Sequence, residues 1–423
     1  MVRLALPLPN RADGSGADRV RSVRRPATAD CPAFDLAYVR RGRPGTVPVV
    51  VIPGGPGLGS IRMYRSTRAR AARAGLDVVM MEHRGVGDSR RDLDGHDLPP
   101  KAVTLQAAAD DLAAVLDAEG IERAVIAGCS YGTSVAQAFG VVHPGRVAGM
   151  VLDSTVLSGD DYIEVRRFSR ARLMQGSSEH GTLEVARKIR ALTDASAQPH
   201  RIGAAARVLY EYGGVALLDR YLEQLVRGQA DATDALLHQL ASQEVGTDLP
   251  GIMEFDLVAR MAFEDLHYHP EPDGLPFDPS TDLDVVAEGQ PAFAGEPYDF
   301  PAALPGFDWL TAVVSGARDL RTPRTVAEHT VALLPDGVLV PVADMGHSAL
   351  DTRQGVFLAV AAAVRDGDRA RLAEIARTGG DGIGPNGASA QLTPVLRALL
   401  AVEKPLSPLV RRVTRAIADP RSD

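Results

Sequence analysis

The chain has 423 residues, of which 45% are hydrophobic and 24% are charged. That balance is ordinary for a globular protein with a sizeable core, and the length predicts two domains or one large domain with an insertion. Its 46 Lys and Arg residues against 54 Asp and Glu residues give a formal net charge of −8, which disfavours a nucleic-acid partner.

Several other classes of protein are excluded by simple patterns. The two cysteines, Cys31 and Cys129, cannot form a disulfide framework, and they fit a reducing compartment. The sequence has no paired Cys or His spacing typical of a metal site, and we expect no metal or organic cofactor. It has no run of 18 consecutive apolar residues and no apolar stretch typical of a secretion signal at its start. We therefore expect a cytoplasmic protein with no membrane partner.

Short apolar runs alternate with helical patterns in the first part of the chain. Residues 1–34 are polar and predict an irregular N-terminal arm. Beyond them the sequence predicts helices over 61–75, 104–118 and 131–142, and strands over 47–52, 76–82, 123–129 and 147–153. Strands without polar alternation are buried on both faces, which indicates an α/β fold whose mostly parallel sheet has helices on both faces.

The alternation stops in the middle of the chain and then resumes. Residues 157–300 predict no convincing strand but several amphipathic helices, including 162–174, 183–192, 215–226 and 232–240. Strands over 310–315 and 337–342 and helices over 322–334 and 349–365 follow. The pattern predicts a core formed by residues 35–156 and 307–365, an inserted helical cap at 157–306, and a C-terminal tail at 366–423.

One motif points to nucleophilic chemistry. Residues 128–132 read Gly-Cys-Ser-Tyr-Gly between a predicted strand and a predicted helix, which is the context of the G-x-S-x-G nucleophile elbow. The glycines allow a turn too tight for side chains beside Ser130, whose hydroxyl then projects at the carboxyl end of the sheet. A serine at its ordinary pKa is a poor nucleophile and needs a histidine base oriented by a carboxylate.

The candidate base and acid follow the last two predicted strands. His347 comes directly after the final strand, whereas His83, its one serious rival, precedes the serine and breaks the chain order of serine, acid and histidine. Asp319, after the preceding strand, is the favoured acid. Asp153 is an alternative at the end of the fourth predicted strand of the core, and Asp344 is more typical of a loop cap.

The same chemistry requires two N–H groups that stabilise a tetrahedral oxyanion. The backbone N–H of Tyr131, the residue after the serine, is one candidate. The other is Gly55, in the loop at residues 53–57 that reads Pro-Gly-Gly-Pro-Gly. Its prolines restrict the loop, and its glycines let the backbone approach a substrate.

Together these segments resemble the α/β-hydrolase fold and, within it, the proline iminopeptidase and tripeptidyl aminopeptidase group of serine peptidases. The resemblance covers residues 47–156 and 308–350 well and the cap weakly. The family's Gly-Gly-Pro-Gly loop, R-G-x-G-x-S segment, elbow, G-x-x-D-x-x-x-P acid motif and Gly-His base motif match residues 54–57, 84–89, 128–133, 316–323 and 346–347.

The resemblance implies an enzyme that removes N-terminal residues from short peptides through an acyl-enzyme. A carboxylate must then hold the free α-ammonium group. In iminopeptidases this is a glutamate of the cap, and the similar segment at residues 262–268 implies Glu264, with Asp265 as second choice. The chain departs from the iminopeptidase pattern at Pro53, at residues 82–84 and in lacking a Trp after the serine.

Two other functions stay open. One is an esterase or amide hydrolase of the same fold that needs no free amine in its substrate. The other is a catalytically silent binding protein with a hydrolase fold. The expected partner is a small peptide, amide or ester, and the sequence leaves the oligomeric state undetermined.

Overall fold

The computed structural model describes residues 18–194, 199–230, 233–237, 249–383 and 392–402. Within them one sheet has the strand order β1-β2-β4-β3-β5-β6-β7-β8. The β1–β2 and β2–β4 pairs are antiparallel, and the other pairs are parallel. The predicted α/β class with a mostly parallel sheet is confirmed. The strands are β1 (Val20–Arg25), β2 (Phe34–Arg41), β3 (Val49–Ile52), β4 (Val78–Met81), β5 (Ala124–Cys129), β6 (Val147–Asp153), β7 (Thr311–Gly316) and β8 (Gly337–Val342).

Helices connect the parallel strands and make up most of the segment between β6 and β7. Residues 233–237 and 392–402 are also helical, and α4 continues into a π-helical turn, Ala171–Gln175. No helix of the described residues is long and apolar enough to cross a bilayer. The α-helices are α1 (Arg65–Arg73), α2 (Leu105–Ala118), α3 (Tyr131–Val142), α4 (Asp161–Arg170), α5 (Leu183–Asp194), α6 (Pro199–Val226), α7 (Ala259–Glu264), α8 (Asp284–Ala287), α9 (Phe300–Ala303), α10 (Arg324–Leu333), α11 (Ala349–Thr352), α12 (Gln354–Arg365) and α13 (Arg369–Thr378).

The central strands are largely apolar, as expected where helices cover both faces of the sheet. Every residue of β3, β4, β5 and β7 is buried. Successive side chains point to opposite faces, so Ile126 packs in the layer that contains α2, α3 and α10. Its neighbours Val125 and Ala127 pack in the opposite layer, which contains α1, α12 and α13.

The prediction of an irregular arm over residues 1–34 is wrong for Val20–Arg25, which forms the edge strand β1. This strand is mostly exposed, so it lacks the apolar run from which the other strands were predicted. Its pairing with β2, also not predicted as a strand, is antiparallel. Arg25 adds an ion pair, since its Nε lies 2.8 Å from Asp111 of α2. Residues 1–17 lie outside the described part of the chain.

Between β6 and β7 the described residues form helices and isolated bridges but no strand of the sheet. The helix predicted over 215–226 is the second half of α6, which bends at Gly214 (φ 69°, ψ −169°). The single helix predicted over 349–365 is divided into α11 and α12. Of the helix predicted over 232–240, only 233–237 are described. The division into core, cap and tail stays our proposal.

The segment at 392–402 packs against α6. Leu396 and Leu400 are fully buried in the same apolar cluster as the α6 side chains Leu209 and Leu218. The Thr393 hydroxyl donates a hydrogen bond to the Tyr212 carbonyl at 2.7 Å. A segment of the predicted tail thus covers the helix that contacts the site described below.

Two aspartates of α2 provide a test of how burial sets the strength of an ion pair. Asp111 is fully buried and accepts two hydrogen bonds from Arg84, at 2.6 and 2.7 Å. Asp117 pairs with Arg146 at 2.8 Å but is 68% exposed. We expect Asp111→Ala to lower the free energy of unfolding by about 3–5 kcal/mol, because it leaves a buried guanidinium unpaired.

The matched change Asp117→Ala is expected to cost less than about 1 kcal/mol, as solvent screens its pair. Urea denaturation followed by circular dichroism measures both values. Equal losses in the two variants would show that the buried pair of Asp111 with Arg84 contributes no more to stability than an exposed one.

Candidate active site

The sheet has a point at which consecutive connections leave in opposite directions. The chain passes from β3 to β4 on one side of β3 and then to β5 on its other side. Open α/β sheets bind ligands in the crevice outside the carboxyl ends of such strands. The loop at residues 53–57 leaves the end of β3, and Ser130 leaves the end of β5, so both lie at this crevice.

Ser130 occupies a strained turn enclosed by close backbone contacts. Its φ of 52° and ψ of −124° are rare for a residue with a side chain. A Cβ at Gly128 would lie 2.2 Å from the Gly132 carbonyl oxygen, and a Cβ at Gly132 would lie 2.3 Å from that of Ile52. The two glycines of the motif are therefore required by space.

The turn is held by hydrogen bonds on both sides, and the loop at residues 53–57, called the β3 loop below, lies against it. The Ser130 N–H donates to the Asp153 carbonyl at 2.8 Å, and its own carbonyl accepts from the Thr133 N–H at 2.8 Å. A Cβ at Gly54 would lie 3.3 Å from the Ser130 Cβ and 3.8 Å from its Oγ. The Ser130 side chain therefore faces the loop predicted to supply an oxyanion donor.

The predicted pairing of His347 with Asp319 is present. His347 Nδ1 lies 3.0 and 3.1 Å from the two carboxylate oxygens of Asp319. Asp319 is fully buried and also accepts the N–H groups of Arg321 and Thr322, each at 2.9 Å. Because Nδ1 donates its proton to Asp319, the neutral imidazole keeps the lone pair of Nε2 free to accept a proton.

This contact shifts both pKa values. Burial alone raises the pKa of the Asp319 carboxyl, but the charge and hydrogen bond of His347 and the two backbone N–H groups hold that pKa at about 2. Burial alone lowers the pKa of the His347 imidazole, but the charge and hydrogen bond of Asp319 outweigh it and raise that pKa above its ordinary value. Asp319 is therefore ionised at neutral pH.

The turn of Ser130 and the loop of His347 are hydrogen-bonded to each other through their neighbours. The Cys129 thiol donates to the Ser348 hydroxyl at 3.0 Å. The Ser348 N–H donates to the Ser154 hydroxyl at 2.9 Å. Ser130 and His347 thus belong to adjoining segments at one edge of the sheet, although 217 positions separate them in the chain.

The alternative candidates make other contacts. His83 is buried, with Nε2 2.8 Å from the Tyr131 hydroxyl and Nδ1 2.7 Å from the Arg84 carbonyl. Asp344 is exposed, and its backbone carbonyl accepts from Arg318. The carboxylate of Asp153 accepts backbone N–H groups at the start of α11. His83 and Asp153 thus bond to other groups, and Asp344 lies at the surface.

The candidate oxyanion donors lie at the two expected positions. Tyr131 is the first residue of α3, where a backbone N–H has no partner inside the helix. Gly55 has a φ of 120°, and a Cβ there would lie 2.8 Å from the Gly57 nitrogen, so the loop needs glycine. The Tyr268 hydroxyl lies 3.4 Å from the Gly55 carbonyl. Their role as oxyanion donors stays a prediction.

The two predicted substrate carboxylates have different surroundings. Glu264 at the end of α7 pairs with Arg260 at 2.6 Å and is partly exposed. Asp265 is partly buried, and burial raises its pKa although it accepts the N–H of Leu105.

Sequence reasoning missed Met261, whose Sδ lies 3.5 Å from the Tyr131 hydroxyl. No group of three or more His, Cys, Asp or Glu side chains in the described residues is arranged to hold a metal.

A second residue missed by the sequence is Glu211 of α6. Its buried carboxylate accepts the Leu320 N–H at 3.2 Å and pairs with Arg321 at 3.1 Å. A Cβ at Gly346 would lie 2.6 Å from the Glu211 Cβ. Helix α6 therefore contacts the loops of both Asp319 and His347. A glutamate within a helix carries no sequence signal of such a contact.

The shifted pKa of His347 can be tested directly. In Asp319→Asn the charge that raises this pKa is absent while burial still lowers it, so we expect the His347 pKa to fall below its ordinary value of about 6.5. Titration of the His347 ring protons by NMR measures the change. The matched variant Asp344→Asn, in an exposed side chain of the same loop, is expected to leave the pKa unchanged. An unaltered pKa in Asp319→Asn would contradict the assigned contact.

Comparisons with known proteins agree with this architecture. A family model described as the alpha/beta hydrolase fold matches residues 47–178. A putative carbamate hydrolase RutD from Caulobacter sp. (strain K31) is 33% identical over 97 residues, 23% of this chain and 34% of the relative. A protein of the same name from Caulobacter vibrioides is 33% identical over 96 residues, with the same coverage. The chain therefore spans about a third of the length of the curated relatives it matches.

Solved structures extend the likeness over most of the chain. A proline iminopeptidase from Mycobacterium smegmatis has a TM-score of 0.51 and 19% sequence identity, covering 83% of this chain and 99% of that one. A hydrolase from Pseudomonas aeruginosa PA01 has a TM-score of 0.46 and 18% identity, covering 82% and 98%. The strand order, the family match and the likeness to the Mycobacterium smegmatis structure together establish that the chain has the α/β-hydrolase fold.

Proposed function

We propose that the protein is a serine hydrolase that works through an acyl-enzyme, with Ser130 as nucleophile, His347 as base and Asp319 as the acid that orients the base. The observation that carries the proposal is the contact of His347 Nδ1 with the buried Asp319, beside a strained serine turn at the crevice of the sheet. A nucleophile, its base and an orienting group on neighbouring loops are the elements of acyl-transfer catalysis.

The proposed reaction has two halves. Ser130 Oγ attacks the substrate carbonyl carbon while its proton passes to His347 Nε2, and the imidazolium returns that proton to the leaving amine or alcohol as the scissile bond breaks. A water molecule then attacks the ester carbonyl of the acyl-enzyme, again losing its proton to His347, and Ser130 regains a proton as the acid product leaves. Asp319 stays ionised throughout, in line with its depressed pKa.

The N–H groups of Tyr131 and Gly55 are assigned the role of stabilising the negative charge that develops on the carbonyl oxygen. Tyr131 supplies its N–H from the start of α3, where the helix dipole also favours negative charge. Loss of a single oxyanion donor typically costs about 10²–10³ in rate. The β3 loop is therefore assigned a direct part in the chemistry.

For the substrate we propose a short peptide with a free N-terminus, cleaved after its first residue or residues as by a proline iminopeptidase-type aminopeptidase. The sequence motifs of that group support this choice, as does the likeness in fold to the Mycobacterium smegmatis protein. The α-ammonium would bind the carboxylate of Glu264, the last residue of α7, or that of Asp265, which follows it. Met261, on the same helix, contacts the hydroxyl of Tyr131.

One observation favours a second candidate, an esterase or amide hydrolase without need for a free amine. The Glu264 carboxylate already has a cationic partner in Arg260, so an ammonium group would have to compete with it. The carbamate hydrolase names of the matched Caulobacter proteins are compatible with such an activity. Hydrolysis of small amides or esters would then use the same Ser130 chemistry.

The first experiment tests the hydrolase itself. Wild-type protein is incubated with a fluorophosphonate probe, which reacts with activated serines, and we expect labelling that Ser130→Ala abolishes. Turnover of p-nitrophenyl butyrate should fall by at least about 10³-fold in that variant. The control Ser22→Ala alters an exposed serine of β1 and should change neither value. A folded wild type that is neither labelled nor active would support a silent binding protein.

The second experiment separates the two substrate classes. A panel of aminoacyl p-nitroanilides, including proline, is compared with the same compounds acetylated on nitrogen and with p-nitrophenyl butyrate. For an aminopeptidase we expect the free-amine anilides to be preferred, and Glu264→Gln or Asp265→Asn to lower kcat/KM for them by about 10-fold or more with ester turnover retained.

Glu374→Gln serves as the matched control, because Glu374 also pairs with an arginine on its own helix but lies on α13. It should leave both activities unchanged. Ester turnover without anilide turnover, insensitive to Glu264→Gln and Asp265→Asn, would replace the aminopeptidase proposal by the esterase.

A further inference from the structure

We propose that Asp153 is a positioning residue that locks the turn of Ser130 to the loop of His347 and so holds nucleophile and base in register. The inference rests on the serine hydrolase proposed above. It gives Asp153 a role different from that of the triad acid, the alternative considered from the sequence.

Asp153 bonds to the two segments through different atoms. Its backbone carbonyl accepts the Ser130 N–H at 2.8 Å. Its carboxylate oxygens accept the N–H groups of Ala349 and Leu350, at 2.9 and 2.8 Å. Ala349 begins α11, two residues after His347, so one fully buried residue is bonded to the nucleophile on one side and to the loop of the base on the other.

The surrounding polar groups complete this contact. Ser348 adopts a φ of 67°, and its hydroxyl accepts from Cys129, while its N–H bonds to Ser154. The Ser348 hydroxyl also donates to Asp351, which accepts from the Tyr64 hydroxyl at 2.7 Å. A chain of buried and partly buried hydrogen bonds therefore surrounds the strained residue next to His347, and strain of this kind persists only where neighbours enforce it.

The charge of Asp153 matters as well as its shape. Both oxygens accept an N–H, and these hydrogen bonds are stronger to the ionised carboxylate than to the neutral acid. Burial raises the pKa of this carboxyl to about 6, against the lowering effect of its two N–H partners and of His347, while Asp351 raises it. The other titratable neighbours, Cys129 and Tyr64, have pKa values raised by burial. At pH 8 Asp153 is therefore the ionised acceptor that both N–H groups require.

A positioning role for Asp153 predicts a different experimental result from a merely structural role. In Asp153→Asn the side chain has nearly the same shape, but one of the two N–H groups faces an amide donor and the negative charge near His347 is gone. Misplacement by about 1 Å can cost on the order of 10² in rate. We expect kcat for p-nitrophenyl butyrate to fall about 10–100-fold with KM changed less than about threefold.

Two further readouts distinguish positioning from stability. Labelling by the fluorophosphonate probe should slow by a similar factor in the variant. When kcat/KM is measured as a function of pH, its acid limb should move to lower pH, because loss of the Asp153 charge lowers the pKa of His347. The matched control is Asp368→Asn: Asp368 caps α13 by accepting the Arg371 N–H at 2.9 Å, and its loss should leave rate, labelling and pH profile unchanged.

The inference is overturned if Asp153→Asn is folded and is labelled and active like the wild type with the same acid limb. Should that variant fail to fold, Ser154→Ala takes its place, because it removes the bond to the Ser348 N–H but keeps the Asp153 charge. There we expect slower labelling and an unmoved acid limb, and labelling at the wild-type rate overturns the inference. A wild type that does not react with the probe at all contradicts the serine hydrolase instead.

Discussion

The site depends on one steric constraint, the close approach of backbone to backbone at the end of β5. Neither Gly128 nor Gly132 has room for a Cβ, and the atoms they would meet are carbonyl oxygens of α3 and β3. Only this closeness lets α3 start immediately after the strand and leaves Ser130 at a positive φ. The strain is held by hydrogen bonds to Asp153 and Thr133, which are part of the sheet and the helix themselves.

Two buried carboxylates accept backbone N–H groups of the loops around this turn. Asp319 lies in a medium that disfavours an ion, yet its contact with His347 and two backbone N–H groups keeps it ionised. The buried carboxylate of Glu82 also accepts two backbone N–H groups, those of Ser60 and Ile61 beyond the β3 loop, but there burial prevails and raises the pKa of the carboxyl. Both loops beside Ser130 are thus anchored by carboxylates that bond to backbone.

The segment between β6 and β7 contributes to this arrangement. Glu211 of α6 is bonded to the loop of Asp319 and packs on Gly346. Glu254 accepts the N–H of Gly87, and its own N–H donates to Gly57 of the β3 loop. Since the segment at 392–402 packs on α6, a chain of contacts runs from the C-terminal part of the protein to the acid and the base.

Local pattern determined the central strands, the helices that follow them and the order of Ser130, Asp319 and His347, because a strand buried on both faces is apolar throughout and a tight turn requires glycine. The exposed strand β1 left no such pattern, and neither did the bend of α6 at Gly214, where a Cβ would lie 2.6 Å from the Arg318 guanidinium. Only the tertiary structure decided that Asp153 bonds to α11 rather than to His347, and that Glu211 contacts the acid loop. A carboxylate has the same sequence signature whether it orients a base, accepts backbone N–H groups or faces water, and only its neighbours in space distinguish these roles.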